Sequence, residues 1–210
     1  MKKLIYISAF LVLFFTGCED YLDLAPTAAI SSANYFTNSQ EVETGVFGMY
    51  DALQGINSTS TNDNHSIQYE YYLTEMRSDN TRTKNGEGEA AQFESYNISP
   101  NNGIVADYYR SFYNVISRAN IVLDNIGVAS EANAAKIEAE ARFVRAYAYF
   151  NLVRLYGDIP LVDRVIGNTD TEISFTRVST SDIYAFIVDD LLNAVDGLDN
   201  TYKTRASKAA

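Results

Sequence analysis

Two residues occur once each in this chain and limit its chemistry: Cys18 and His65. Cys18 follows an apolar run, Leu4 to Phe15, that only Tyr6 and Ser8 interrupt. Met1-Lys2-Lys3 precedes the run, and the small residues Thr16 and Gly17 close it. A spanning helix needs about 20 apolar residues, so this run is too short to cross a bilayer; it has the length of a signal-peptide core. Small residues before a cut admit the backbone to a peptidase, and a thiol after the cut is a nucleophile able to accept acyl groups. The pattern is similar to a lipobox, with Phe15 where Leu usually stands. It predicts a signal peptide over 1–17, cleavage before Cys18, and a mature chain anchored by several acyl chains on that cysteine. One acyl chain alone would bind only marginally.

His65 lies among Asn and Ser in a loop-like stretch and reads as a solvated side chain. A single histidine excludes any site that needs two, and no metal or cofactor is expected. A single cysteine excludes an internal disulfide. The chain carries 27 acidic residues, so some carboxylates must lie close together by chance. Glu75 and Asp79 therefore do not mark a glycosidase pair by their presence alone. No G-x-S-x-G, H-E-x-x-H or phosphate-binding glycine loop occurs. No catalytic residue is assigned, and the chain is read as a non-enzyme. Its formal charge of −11 argues against nucleic acid and anionic headgroups as partners.

Positioning elements follow from periodicity. A tether, 18–37, contains the acidic stretch Glu19-Asp20-Tyr21-Leu22-Asp23 and Pro26. Asn38 and Glu41 form a capping-box pattern ahead of Val42, Val46, Met49, Tyr50 and Leu53, with Gly55 as the stop. Residues 57–66 read as loop, and 68–76 as a short helix or a strand. Residues 77–92 read as loop again, with Asn85-Gly86 as a turn signal, and 93–98 as a short strand. Ile104, Tyr108, Phe112, Val115, Ile116, Ala119, Leu123 and Ile126 mark a long amphipathic helix ending at Gly127. Ser130 caps the next, which carries Ala134, Ile137, Ala141, Val144, Ala148, Leu152 and Leu155 and ends at Gly157. After a connector over 161–175, Ser179 and Asp182 cap a third long helix bearing Ile183, Ile187, Leu191, Ala194, Val195 and Leu198. Residues 207–210 read as the first turn of another. The expected fold is mostly α, built from antiparallel helix pairs of tetratricopeptide-like type with long loops.

These helices carry three blocks: Asp107-Tyr108-Tyr109 through Arg118-Ala119-Asn120; Glu140-Ala141-Arg142 through Leu155-Tyr156-Gly157-Asp158-Ile159-Pro160; and Asp182-Ile183-Tyr184 with Asp189-Asp190-Leu191. With Asp20-Tyr21-Leu22-Asp23 and Glu75-Met76-Arg77-Ser78-Asp79 in the same order, the chain resembles the SusD/RagB family of outer-membrane nutrient-binding lipoproteins over nearly its whole length. The acidic residues after Cys18 resemble a surface-export signal of some Gram-negative lipoproteins. The residues alone leave a solvated tether as an equal reading. Family members typically run more than twice this length, so the resemblance implies that 38–210 is the N-terminal part of the helical domain.

The resemblance implies a lipid-anchored outer-membrane protein, surface-exposed, that binds an oligosaccharide or other nutrient and passes it to a SusC-like TonB-dependent transporter. It places ligand-facing loops between Ser78 and Tyr96. There Asp79, Asn80, Arg82 and Asn85 offer polar contacts and Tyr96 a stacking face. The chain has no Trp, a frequent platform in glycan-binding members, which argues against a starch site in this part. Tyr147, Tyr149 and Tyr156 sit at helical spacing and read as inter-helix packing. Arg142, Arg145 and Arg154 read as partners of the many acids or as packing supports. The alternatives are a helical scaffold that binds no ligand, and a glycoside hydrolase.

Overall fold

In the computed structural model the described residues are 35–55, 66–78, 80–84, 86, 88–167, 175–200 and 205–208. The signal segment, Cys18, most of the tether, His65, Asp79 and Asn85 lie outside them. The chain divides into two compact units, Met1–Thr37 and Asn38–Ala210. The second contains all the elements below.

Helix α1 spans Ser39–Asp51. The Asn38 side chain accepts from the Glu41 N–H at 3.1 Å, and the Asn38 N–H donates to the Glu41 carboxylate at 3.2 Å. Both arms of the expected capping box are therefore present. Helix α2, Ser66–Leu73, settles the helix-or-strand question for that segment in favour of helix, and a single 3-10 turn, Glu75–Arg77, follows. Helix α3, Gly88–Glu94, was expected to be loop and then strand. Seven residues give too little periodicity to read. This helix is held by its buried Phe93 and by bonds from its neighbours rather than by propensity.

Helices α4, Gly103–Asp124, and α5, Glu131–Tyr156, form the first long pair. Asn120 meets Arg145, Tyr113 meets Tyr149 and Val105 meets Tyr156, so the two run antiparallel. Helix α6, Thr180–Val195, packs on the other side of α5. Phe150 faces Tyr184 and Arg145 faces Asp190, again antiparallel. A two-residue antiparallel ladder between β1, Ile159–Pro160, and β2, Arg177–Val178, steadies the connector between them.

Helix α5 is central. The expected stripe of Ile137, Ala141, Val144, Ala148 and Leu152 is buried, but so are Ala139, Ala146, Tyr149 and Val153 on its other face. A helix buried on both faces is enclosed by neighbours, and its many alanines let α4 and α6 approach closely. Gly157 ends it with φ +69 and returns its N–H to the Val153 carbonyl. That backbone region favours glycine, and Pro160 then prevents continuation. Ser130 holds the N-cap position without a side-chain cap bond; its N–H donates instead to Ser39 Oγ on α1 at 2.9 Å.

Among the described residues no helix is long and apolar enough to cross a membrane.

Candidate functional site: a loop cavity beside helix α3

The segment expected to face ligand is shaped by a few buried anchors. Met76 pins the 3-10 turn and Phe93 pins α3. The start of α4 is tied to α3 by two side chains. Glu89 Oε1 accepts from the Gly103 N–H at 2.7 Å, a carboxylate at the positive end of a long helix. Asn102 caps the Val105 N–H and donates its amide to the Glu89 carbonyl and to Gln92 Oε1. Gln92 Oε1 also accepts from the Ser99 N–H at 2.8 Å. With its oxygen engaged twice, Gln92 has a fixed amide orientation.

An open cavity of about 600 Å³ lies between α3 and residues 97–100. Gln92, Glu94, Ser95, Asn97, Ile98 and Pro100 line most of it. Glu94 is the single acid among the described lining residues. Its Oε2 accepts from both the Thr83 N–H and the Thr83 hydroxyl at 2.9 Å. Those two bonds, aided by the Arg82 charge, hold the carboxyl below its ordinary range, so it is ionised at neutral pH.

Of the residues expected to meet ligand, Asp79 and Asn85 lie outside the described residues. Asn80 is exposed, and its N–H donates to Ser78 Oγ. Arg82 is exposed and stands 3.9 Å from Glu94. Tyr96 is 63 % exposed. Its hydroxyl donates to the Arg77 carbonyl, and its backbone adopts φ +55, rare for a non-glycine residue. It sits between two lining residues, Ser95 and Asn97, at the cavity's edge. Asn80, Arg82 and Tyr96 do not themselves appear among the described lining residues. Sequence reasoning missed Gln92, Glu94, Asn97 and Ile98. The signals available were Gly86 and Gly88 before the short helix and Ser99-Pro100 after it, punctuation that brackets a compact loop unit.

Helix α5's aromatic and basic residues are mostly structural. Tyr149 is fully buried, with its hydroxyl bonded to both backbone groups of Val162. Tyr156 donates to the Val105 carbonyl. Tyr147 packs on Phe112 but remains 39 % exposed at an apolar groove of about 470 Å³ between α5 and α6. Arg142 bridges Glu138 and Asp190, and Arg154 bonds Asn151 and lies over the Phe150 ring. No group of three or more His, Cys, Asp or Glu among the described residues is placed to hold a metal.

Antiparallel helix pairs that carry a polar cavity on their connecting loops define a helical-repeat protein of the tetratricopeptide-like kind. The chain belongs to the SusD-like family: residues 20–210 match the family described as starch-binding and associating with the outer membrane. Two SusD-like proteins of Formosa agariphila are 25 % and 30 % identical over 210 and 195 residues, or 98 % and 86 % of this chain. The chain spans only 40 % and 37 % of their lengths, about two-fifths. A solved structure of a laminarin-binding SusD-like protein is 24 % identical, with a TM-score of 0.67 over 82 % of this chain and 38 % of that one, a likeness of fold.

Proposed function

We propose that this chain is the anchored, N-terminal part of a longer nutrient-capture lipoprotein. Residues 1–17 are its signal peptide and Cys18 its lipid attachment. Residues 18–37 tether the helical domain, which begins at residue 38 and presents its loops on the outer face of the outer membrane. The cavity beside α3 takes part of an oligosaccharide, which passes to a SusC-like TonB-dependent transporter. Capture occurs without hydrolysis.

One observation carries this reading: the cavity sets apolar faces next to fixed polar groups. Ile98 and Pro100 line it and are exposed, and Tyr96 stands exposed at its edge. Sugar rings present C–H faces to such surfaces, and their hydroxyls require oriented donors and acceptors. Gln92 supplies an amide of fixed orientation, and Asn97 a second amide. The family's description, starch-binding and associating with the outer membrane, supports both ligand class and location. Hydrolysis by paired carboxylates needs two acids facing across a cleft, and Glu94 lines this cavity as the one described acid.

The test is calorimetric titration of the full chain with a panel of oligosaccharides, beside Gln92→Ala and Asn97→Ala. Binding that weakens in both variants, with no reducing sugar released, is the expected result. Sugar release would favour a hydrolase. A second reading, a scaffold that binds protein and no ligand, draws on the exposed apolar face of α6, where Val188, Leu191, Leu192 and Val195 are uncovered. Co-purification with a transporter and no oligosaccharide binding would favour it.

A further inference from the structure

We infer that the cavity beside α3 selects by charge: it accepts uncharged oligosaccharides and rejects chains bearing carboxylate or sulfate groups. This inference rests on the proposed capture role and adds the class of glycan to it.

The lining carries one fixed charge among its described residues, and that charge is negative. The rest is neutral: Gln92, Ser95, Asn97 and Ser99 are polar, and Ala91, Ile98 and Pro100 are apolar. No arginine or lysine lines the cavity among the described residues. Sites that bind sulfate or carboxylate generally offer forked guanidinium groups or ammonium groups at the contact. Arg82, on the adjoining loop, is not among the described lining residues; its Nε stands 3.9 Å from Glu94 Oε1 and its side chain extends into solvent.

Glu94 is also fixed in place. Two bonds from Thr83 hold its Oε2, and Thr83 Oγ in turn accepts from the Gly86 N–H at 3.1 Å. The carboxylate cannot easily turn away from an incoming anion without breaking the loop that frames the cavity. Beyond the cavity, the chain's formal charge of −11 adds long-range repulsion that salt screens over about 10 Å at 0.1 M. Two repulsive effects of different range therefore act on an anionic chain. The short-range one belongs to Glu94, and the long-range one belongs to the whole surface.

The experiment titrates the full chain and its Glu94→Gln variant with length-matched gluco-oligosaccharides in three forms: uncharged, oxidised to uronic acids, and sulfated. Each is measured at low and high salt. Glutamine keeps an acceptor oxygen for Thr83 and removes the charge. The expected result is binding of the uncharged form with little salt dependence, and at least about fivefold weaker binding of the two anionic forms at low salt, the size of one unit-charge repulsion at contact in water. Glu94→Gln narrows the ratio between the uncharged and anionic forms measured on that same variant, and circular dichroism checks that it is folded. Anionic forms binding as tightly as the uncharged form, or losing affinity on Arg82→Ala, would overturn the selectivity while leaving capture intact. Absence of binding by every form, uncharged included, would overturn capture and the selectivity with it.

Discussion

Arg145 on α5 forks onto Asp190 on α6: its Nε lies 2.7 Å from one carboxylate oxygen and its Nη2 2.8 Å from the other. Both residues are buried. The guanidinium also donates to the Asn120 side chain and the Asp163 carbonyl, so one cation ties α4, α5, α6 and the connector together. Removing one partner leaves an uncompensated buried charge. Asp190→Ala should destabilise the folded chain by about 3–5 kcal/mol, whereas replacing the pair with apolar residues of similar volume should cost far less. Urea unfolding of the single and double variants measures this, and equal losses in both would contradict it.

Gly197, just beyond α6, marks a close approach to α5. A Cβ built there would lie 2.5 Å from the Ala135 carbonyl oxygen and 2.6 Å from the Ala139 Cβ. Gly197→Ala should therefore force the helices apart at a cost of about 1–3 kcal/mol. Gly127 has nothing within 4 Å of a Cβ and serves as the control. Thermal melts should show a lowered midpoint for Gly197→Ala and little change for Gly127→Ala.

Tyr96 combines a rare backbone conformation with a hydroxyl tied to the Arg77 carbonyl. Tyr96→Phe keeps the ring and removes the tie. It should weaken oligosaccharide binding by loosening the ring, while changing stability by only about 1 kcal/mol, the worth of one exposed hydrogen bond. Tyr96→Gly relaxes the backbone but removes the face; it should melt no lower than the parent and bind less. A Gly variant that binds as well as the parent would show that the ring has no part in capture.

Buried tyrosines set an alkaline limit on stability. Burial raises the Tyr50 hydroxyl from 10.0 to about 12, and it raises Tyr108, Tyr113, Tyr149 and Tyr156 further still. In the unfolded chain these groups ionise near pH 10. Between there and their folded values the unfolded state has lost protons that the folded state keeps, so stability falls as pH rises. The contribution is fully present below pH about 10 and is lost progressively as pH rises from there toward the folded values. Absorbance of phenolate against circular dichroism should show exposed tyrosines titrating first and the remainder ionising together with unfolding. Complete phenolate formation in a chain that keeps its fold would refute the assignment.

Cys18→Ala should leave the protein as unprocessed precursor or release it from the outer membrane. Fractionation and surface protease treatment measure this, and unchanged retention at the surface would refute the lipid anchor.

The long helices were legible because each repeats its apolar residues over several turns between local cap or stop residues. Asn38 with Glu41 and Ser179 with Asp182 are local hydrogen-bond partners, and Gly157 a local stop, so no distant residue was needed to see them. The family pattern rode on the same helices. Tertiary structure alone decided the rest. That α5 is the central helix follows from α4 and α6 flanking it, and its buried second face cannot be told from an exposed one by spacing. Arg145 and Asp190 are 45 residues apart, and the many acids in the chain offered no means of choosing between partners. Helix α3 is too short to stand by propensity, and its cavity exists because Glu89, Gln92 and Asn102 fasten it to the start of α4 while Phe93 is buried. Local hydrogen bonds and periodic burial are written in consecutive residues. A cavity between loops is written in distances, which only the folded chain sets.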